Sequence, residues 1–316
     1  MRSVVLRVQS SGIPAWVWAA ILFVALALIG LGLEEFSKLL LEEMLIAGLF
    51  AISLNLIMGY GGMVHFGHAA FYGIGGYTLA ILSQKYQVPV LVAMIAAPIA
   101  STLLATVIGW FCVRRVRLYF AILTLAFGQL VYILIFQARD FTGGDDGLQG
   151  LARPEFLRSP NSFYLFTLII FVASFLALRM LIHAPFVLTL RAIRENPERA
   201  LFIGVDVRRH QLITFVIGAF FAGIAGMLSA LHNRFVAPDM LYWTTSSEPI
   251  LASLLGGMYS LVGPVIGGAL LIYLHVAINH VTQFWPFVLG LLTIGLVMVA
   301  PEGLVGLFQR WVLRKQ

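Results

Sequence analysis

The chain has 316 residues, of which 60% are hydrophobic and only 11% are charged, and its mean hydropathy is +0.96. Soluble domains carry about 25% charged residues, so this composition excludes a soluble globular protein and indicates a polytopic membrane protein. The net charge of +6 comes from basic residues in separated loops, which disfavours a nucleic-acid-binding face. The single cysteine, Cys112, excludes an intramolecular disulfide and a cysteine-based metal site.

Ten apolar segments follow one another along the chain, and each is a candidate membrane helix, since about 20 helical residues cross a hydrocarbon core. They lie at residues 15–33, 39–58, 64–83, 89–112, 118–137, 163–182, 211–231, 247–261, 263–280 and 284–300. The segment 247–261 is short and is predicted to be re-entrant or broken. We therefore predict an all-α polytopic membrane protein with about ten transmembrane or re-entrant helices (8–10), forming a single transmembrane domain over residues 1–316.

The positions of lysine and arginine predict the orientation of the chain. If the N-terminus lies in the cytoplasm and all ten segments cross, the basic clusters at the two termini, at 114–117 and at 191–209 are cytoplasmic. They outnumber the basic residues of the opposite loops. Because cytoplasmic loops carry an excess of lysine and arginine, we expect both termini in the cytoplasm.

Two glycine-rich segments interrupt the apolar pattern near opposite ends of the chain, GYGGMVHFGHAAFYGIGG at 59–76 and GGMYSLVGPVIGG at 256–268. Glycines let helix backbones approach closely, and they also let a helix break where it lines a cavity. Interrupted segments at matching positions in two halves are typical of transporters with internal repeats, so an internal repeat is a hypothesis for this chain. Tight packing and a place on a translocation path both stay open as explanations.

His65 and His68 are three residues apart and are expected on one helical face. A shared metal ion would need a third ligand, and none is near in the sequence, which disfavours a metal site. Hydrogen bonding between helices and lining of a pathway are the two remaining interpretations.

Glu248 enters an apolar segment, where a carboxylate is costly and therefore suggests a function. Ser246 or Ser247 can instead cap a helix whose first turn favours Glu248 and accepts Pro249, and the two interpretations are compatible. Six polar residues of the apolar segments are candidates for the translocation path: Asn55, His65, His68, Thr124, Gln129 and Glu248.

The most strongly charged stretch of the chain is RAIRENPERALFIGVDVRR, at residues 191–209. It is interpreted as one short helix, with Asn196 as the N-cap, Pro197 in the first position, Glu198 at the positive end and Gly204 closing it. A helix of about two turns is not stable alone in water, so we expect another protein to hold it.

No nucleotide-binding or catalytic motif accompanies this helix. The sequence lacks G-x-x-x-x-G-K-[ST], so a partner would have to hydrolyse ATP. Ser-His, paired-carboxylate and H-E-x-x-H arrangements are also missing, so we do not expect an enzyme. Asp145 and Asp146 lack the alternating ligands of a calcium loop and are predicted to form a solvated turn within the turn-rich connection 138–162.

Several separated blocks resemble one family of membrane proteins. Glu198-Arg199-Ala200, followed after three residues by Gly204, resembles the E-x-A-x3-G core of the coupling loop of ABC importer permeases. GYGGMVHFGHAAFYGIGGYT, YFAILTLAFGQ, TGGDDGL, SSEPILASLLGG and SLVGPVIGG appear in the order found in LivM-type permeases of branched-chain amino acid ABC transporters. The resemblance runs from about residue 51 to residue 306.

This resemblance implies a permease of the bacterial or archaeal cytoplasmic (inner) membrane that imports branched-chain or other hydrophobic amino acids by alternating access. The implied partners are a second, LivH-like permease, two cytoplasmic ATPases that bind ATP and Mg, and an external solute-binding protein. No cofactor, metal or catalytic residue is implied in this chain. The coupling loop, at about 183–210, is implied to dock on an ATPase through Arg191, Arg194, Glu195, Asn196, Glu198, Arg199, Ala200 and Gly204.

Other substrates and another class of transporter are alternatives to this interpretation. The sequence departs from the family pattern at Met63-Val64-His65, Gln129 and Tyr259, so urea, short amides and aromatic acids are alternative substrates of the same importer class. A stand-alone secondary transporter or channel would need ion-coupling carboxylates, and the apolar segments carry few acidic residues, among them Glu248. That class is therefore less favoured.

Overall fold

The structure, a computed structural model, describes residues 15–114, 118–279, 284–299 and 303–307. Thirteen α-helices account for most of these residues. They are α1 (Ala15–Gly32), α2 (Glu35–Asn55), α3 (His68–Gln84), α4 (Val90–Cys112), α5 (Leu118–Gln137), α6 (Arg139–Thr142), α7 (Pro160–His183), α8 (Pro185–Glu195), α9 (Pro197–Phe202), α10 (Val207–Asn233), α11 (Trp243–Gly256), α12 (Val262–Asn279) and α13 (Trp285–Val299). A π-helical turn, Leu56–Tyr60, extends α2, and a short strand β1 (Leu148–Gln149) pairs antiparallel with β2 (Phe235–Val236).

The prediction of an all-α membrane fold is confirmed, because each of the ten apolar segments contains one helix. Six described segments are long and apolar enough to cross a membrane: Glu35–Tyr60, Val90–Cys112, Leu118–Gln137, Pro160–His183, Val207–Asn233 and Val262–Asn279. The helices α3, α11 and α13 are shorter, with 17, 14 and 15 residues, so ten crossings stay a prediction. The basic residues of both termini, with Arg115 and Arg117, lie outside the described residues.

The helix α10 lies at the centre of the bundle and packs against α2, α3 and α4. It approaches α3 so closely at Gly226 that a Cβ there would overlap the Tyr72 carbonyl. Phe71 of α3 and Phe215 of α10 meet edge to face in the core, with ring centres 5.3 Å apart. The position of α3, and of the glycine-rich segment before it, is therefore fixed by α10.

Both glycine-rich segments break the helical pattern. The π-helical turn after α2 leads into non-helical residues 61–67 before α3 begins at His68, and residues 257–261 separate α11 from α12. The helix predicted over 64–83 starts four residues late, at His68, because the break that includes Gly62, with its φ of +68°, extends through Gly67. The predicted break in 247–261 is confirmed, and the internal repeat stays a prediction.

Arg153 connects the loop 138–162 to the end of α10. Arg153 donates from Nε to the Leu231 carbonyl at 2.8 Å and from Nη2 to the His232 carbonyl at 2.9 Å. These carbonyls have no partner within the helix, so the guanidinium caps the negative end of α10. Burial, and secondly Arg234, lower the pKa of Arg153, whereas Glu42 opposes that shift.

Within the same loop, Asp145 and Asp146 are exposed in a short 3-10 turn, which confirms the predicted solvated turn. The remaining pieces of the loop are α6, β1 and a second 3-10 turn at Glu155–Leu157. In the part of the chain that the structure describes, no group of three or more His, Cys, Asp or Glu side chains is placed to hold a metal ion.

Candidate functional site

His65 and His68 belong to the first glycine-rich segment, and both are fully buried. His65 belongs to the non-helical residues and His68 is the first residue of α3, so the expectation of a shared helical face is wrong. The two rings still meet, with His65 Nε2 lying 3.0 Å from His68 Nδ1. On the other side, His68 Nε2 lies 2.8 Å from the Ser53 hydroxyl of α2.

The backbone sets the direction of these hydrogen bonds. The Gly67 N–H donates to His65 Nδ1 at 3.2 Å, so a neutral His65 carries its proton on Nε2 and donates it to His68 Nδ1. His68 then donates from Nε2 to Ser53, whose hydroxyl donates to the Phe50 carbonyl at 2.7 Å. Two neutral histidines thus satisfy all four ring nitrogens in a buried site. The hydrogen bond from His68 to Ser53 joins two helices.

Ser246 caps a different helix from the one that was predicted. The helix α11 begins upstream of Ser246 and contains Pro249 in its interior, so neither Ser246 nor Ser247 is its N-cap. The buried Ser246 hydroxyl instead accepts a hydrogen bond from the Ala69 N–H, in the first turn of α3, at 2.9 Å. The predicted cap is therefore wrong, because the orphan donor that the serine satisfies comes from tertiary packing.

The polar residues predicted for a translocation path occupy two kinds of environment. Four are buried inside the chain in this conformation: Asn55, His65, His68 and Thr124. Gln129 is half-buried on α5, and Glu248 is exposed on α11. Glu43 is also exposed, on α2, which packs against α11. The exposed acidic groups therefore lie on one face formed by α2 and α11.

Thr124 and Gly67 press the non-helical segment against α5. The Thr124 hydroxyl accepts from the Phe66 N–H at 3.4 Å and donates to the Ala121 carbonyl at 2.9 Å. Gly67 approaches α5 so closely that a Cβ would overlap the Thr124 carbonyl. The end of the non-helical segment, Phe66 and Gly67, is thus packed against α5.

The two glycine-rich segments contact each other, although they are far apart in the sequence. Asn55, at the end of α2, donates from Nδ2 to the Ser260 carbonyl at 3.2 Å. A Cβ on Gly59 would lie 2.5 Å from the Met258 carbonyl, so only glycine allows this approach. The break after α2 and the break after α11 therefore form one junction, which we call the glycine junction (residues 55–62 and 257–260).

Two arginines of the charged stretch bind this junction. Arg194, in the last turn of α8, donates to the Gly59 carbonyl, and its guanidinium lies 4.8 Å from the centre of the Tyr259 ring. Arg191, one turn earlier, lies 5.2 Å from the centre of the Tyr60 ring. Both arginines therefore connect α8 to the glycine junction.

The charged stretch 191–209 contributes to three helices, whereas one was predicted. It contains the end of α8, the whole of α9 and the start of α10. The predicted ends of α9 are confirmed: Asn196 Oδ1 accepts from the Arg199 N–H at 3.0 Å, and Gly204 has a φ of +86°. The additional boundaries arise because the apolar face of α8 is buried against α7 and α10, a tertiary contact that the charge pattern does not reveal.

The C-terminus of α9 is closed by a Schellman motif. The Gly204 N–H donates to the Leu201 carbonyl at 2.9 Å, and the Val205 N–H donates to the Ala200 carbonyl at 3.0 Å. Ala200 is 3% exposed and packs with Ile193 and Val205, whereas nothing lies within 4 Å of where a Gly204 side chain would be. Gly204 is therefore required by its backbone conformation alone.

Most residues that were predicted to contact an ATPase are accessible. Asn196 is half-buried and Ala200 is buried. The exposed ones are Arg191, Arg194, Glu195, Glu198, Arg199 and Gly204.

Sequence reasoning missed three apolar residues next to them, Leu201, Phe202 and Ile203, which are 58%, 90% and 78% exposed. We call these three residues the α9 tip. The signal in the sequence was an apolar run within a helix that is too short to cross a membrane.

A cavity of about 1170 Å³ opens beside α9. It is lined by the non-helical residues Gly61–Val64 and Phe66, by Val113 and Arg114 after α4, by the start of α5 and by α8, α9 and the start of α10. His65 does not line it, because its ring points into the core. The cavity thus connects the charged helices with the outer surface of the first glycine-rich segment.

Known proteins are similar to this chain over most of its length. A family model described as "Branched-chain amino acid transport system / permease component" matches residues 39–300. The chain is 27% identical to the high-affinity branched-chain amino acid transport system permease protein LivM of Salmonella typhimurium, over 284 residues that cover 81% of this chain and 67% of that protein. It is 26% identical to the permease protein LivH of Escherichia coli, over 288 residues that cover 82% of this chain and 90% of LivH. No solved structure matches the chain.

Proposed function

Because the chain belongs to the family of permease components of branched-chain amino acid transport systems, we propose that α9 couples it to an ATPase in an importer of branched-chain or other hydrophobic amino acids. The observation that carries the coupling proposal is the α9 tip, whose central residue, Phe202, is 90% exposed. The motif of ABC importer coupling loops, Glu198 to Gly204, contains this tip.

The α9 tip has the properties of a protein-binding surface. Burial of a phenylalanine side chain contributes about 1.5–3 kcal/mol, so an exposed Phe202 favours a partner that covers it. Glu198 and Arg199 are exposed on the same short helix and supply charges at the rim, which favours one partner over others. The capped ends of α9 keep the helix formed before it binds, which reduces the entropy cost of docking.

Arg194 and Arg191 give the coupling helix a mechanical connection to the membrane part. A displacement of α9 moves the end of α8, and both arginines transmit it to the glycine junction. Rigid helices that shift against one another are a recurrent way to switch a membrane protein between two states. Closure of two ATPases upon binding ATP and Mg would thus alternate the access of a central path.

The face that carries Glu43 and Glu248 is proposed to border that path and the second, LivH-like permease. Exposed carboxylates in membrane helices are costly unless they face water or a polar partner. A carboxylate there also attracts the ammonium group of an amino acid. In this proposal, Gln129 lines the path, whereas Asn55, His65, His68 and Thr124 hold its wall in place.

The proposed function also includes an orientation in the membrane, partner proteins and a substrate. The basic residues near α9 favour a cytoplasmic position for it, with both termini inside and an external solute-binding protein on the opposite side. This chain would hold no cofactor of its own, and the ATPases would bind the nucleotide. Urea, short amides and aromatic acids are the alternative substrates, and a ligand screen on the cognate binding protein distinguishes them.

The test is a charge placed on the α9 tip. We expect Phe202→Glu to reduce ATPase retention on the purified permease pair by tenfold or more, corresponding to about 1.4 kcal/mol, and to abolish substrate-stimulated ATP hydrolysis. The control is Phe156→Glu, at a residue that is 52% exposed in the loop 138–162. Normal docking and hydrolysis in the Phe202 variant would show that α9 is not the coupling helix.

A further inference from the structure

A second cleft lies between the end of α4 and the start of α10. Its volume is about 500 Å³, and its lining consists of Trp110, Val113, Arg114, Asp206, Arg208, Arg209 and Leu212. Three guanidinium groups and one carboxylate thus meet in a small space. We call it the α4–α10 cleft. It adjoins the cavity beside α9 and shares four lining residues with it: Val113, Arg114, Asp206 and Arg208.

The cleft is held by tight packing of the two helices. At Gly109 of α4, a Cβ would lie 2.8 Å from both Leu212 and Phe215 of α10, so glycine sets the close crossing. The next residue, Trp110, is thereby placed beside the first turns of α10. The Arg114 guanidinium carbon lies over the Trp110 ring, 3.6 Å from the ring centre. The positions of the ring and of one cation are therefore set by the fold.

The charges of the cleft do not cancel. The Asp206 carboxylate accepts the Arg209 N–H at 3.0 Å and caps α10, so its charge is directed at the positive end of that helix. Within the described residues, Arg114, Arg208 and Arg209 have no carboxylate within 4.0 Å. All three are exposed. The cleft therefore has an excess of positive charge, arranged as guanidinium donors that suit a phosphate group.

The depth of the cleft favours a lipid over a soluble anion. Trp110 lies in the last turns of the membrane span Val90–Cys112, and Leu212 lies in the second turn of the span Val207–Asn233. Tryptophan and arginine together are typical of the level of the lipid headgroups. From there, Leu103, Val107 and Phe111 continue along α4 with 63%, 59% and 49% of their surface exposed. These side chains form an apolar track suited to acyl chains.

We propose that the α4–α10 cleft binds the headgroup phosphate of an anionic phospholipid of the cytoplasmic leaflet, with the acyl chains lying along the apolar track of α4. The side of the membrane rests on the orientation given under Proposed function. Basic pockets between membrane helices on the cytoplasmic side are suited to such headgroups. Bound there, the lipid fastens the start of α10, directly after α9, to α4.

The experiment compares lipids retained by the full-length chain and its partner subunits after exchange into nanodiscs of phosphatidylcholine with or without phosphatidylglycerol. Native mass spectrometry counts the bound lipids. We expect at least one retained phosphatidylglycerol, and a roughly 25-fold weaker retention in Arg208→Gln/Arg209→Gln, since each basic residue contributes about fivefold. The matched control Arg139→Gln/Arg158→Gln, at exposed arginines of the opposite loop, should retain the lipid normally.

Further measurements distinguish binding of an anionic lipid from binding of a free anion and from non-selective retention of lipids. Arg208→Lys/Arg209→Lys keeps the charge but loses the guanidinium forks, so it should retain more phosphatidylglycerol than the glutamine variant and less than the unchanged chain. Full displacement by millimolar inorganic phosphate would show a free-anion site and overturn the proposal. Equal retention of both lipids would also overturn it. Because the measurement needs no ATP hydrolysis, its outcome is independent of whether α9 docks on an ATPase.

Discussion

The hydrogen-bonded series from Gly67 through His65, His68 and Ser53 to Phe50 predicts a specific energetic coupling. Ser53→Ala removes the acceptor of the His68 Nε2–H, which is fully buried and has no other partner within 3.5 Å in the described residues. An orphaned buried donor costs about 1–3 kcal/mol. Transmembrane hydrogen bonds measured in double-mutant cycles reach about 1.7 kcal/mol, so we expect a loss of about 1–2 kcal/mol in the free energy of unfolding.

The second variant, His68→Leu, determines whether this loss of stability comes from the hydrogen bond between His68 and Ser53. With leucine at position 68, the Ser53 hydroxyl still donates to the Phe50 carbonyl at 2.7 Å, and no donor depends on it. Ser53→Ala should then cost less than about 0.5 kcal/mol. The double variant is therefore expected to lose about 1–2 kcal/mol less stability than the two single variants lose together. This difference indicates a direct interaction between the two residues.

Unfolding of the purified chain in mixed micelles of mild and denaturing detergent, followed by tryptophan fluorescence, measures these differences. Thr106→Ala is the control, because the Thr106 hydroxyl is exposed and bonds only within its own helix. His68→Gln should recover part of the stability, since a glutamine offers one acceptor and one donor. Additive losses, within about 0.5 kcal/mol, would refute the hydrogen-bonded series.

Two further predictions concern positions where the backbone decides the outcome. Gly67→Ala should prevent the accumulation of folded protein, because the new Cβ overlaps the Thr124 carbonyl, whereas Gly204→Ala, in open space with a φ of +86°, should cost only about 1 kcal/mol. Gel filtration of the detergent extract compares the two, and equal yields would contradict the close contact. Arg153→Ala should destabilise the chain by about 1–3 kcal/mol, because the last carbonyls of α10 lose two donors at 2.8 and 2.9 Å. An unchanged unfolding midpoint would show that water replaces the guanidinium.

The positions of the helices could be predicted because membrane helices satisfy their own backbone and need an apolar exterior, and both properties are local. The ends of α9 were predictable for the same reason: Asn196 caps its own helix, and Gly204 supplies a conformation that other residues resist. Glu198 and Arg199 could be predicted as accessible because they belong to the same polar helix.

The rest depended on contacts between distant parts of the chain. Ser246 has the sequence context of an N-cap, yet its hydroxyl serves the Ala69 N–H of another helix. His65 and His68 have helical spacing, yet His65 lies in the non-helical residues and His68 begins α3. In each case the local pattern allowed two structures, and a tertiary partner selected one. The α9 tip was missed because an apolar run looks the same in a core and on a docking surface.

The glycine junction explains why so many glycines are found where α8 ends. The Arg194 stem passes Gly62 with no room for a Cβ, and the Arg194 guanidinium donates to the Gly59 carbonyl. On its other side, the guanidinium faces the ring of Tyr259, in the break after α11. If α9 moves with an ATPase, a single side chain therefore transmits the motion to both breaks at once. Two helices that are already interrupted can respond by shifting without losing regular backbone hydrogen bonds, which would be costly within a membrane.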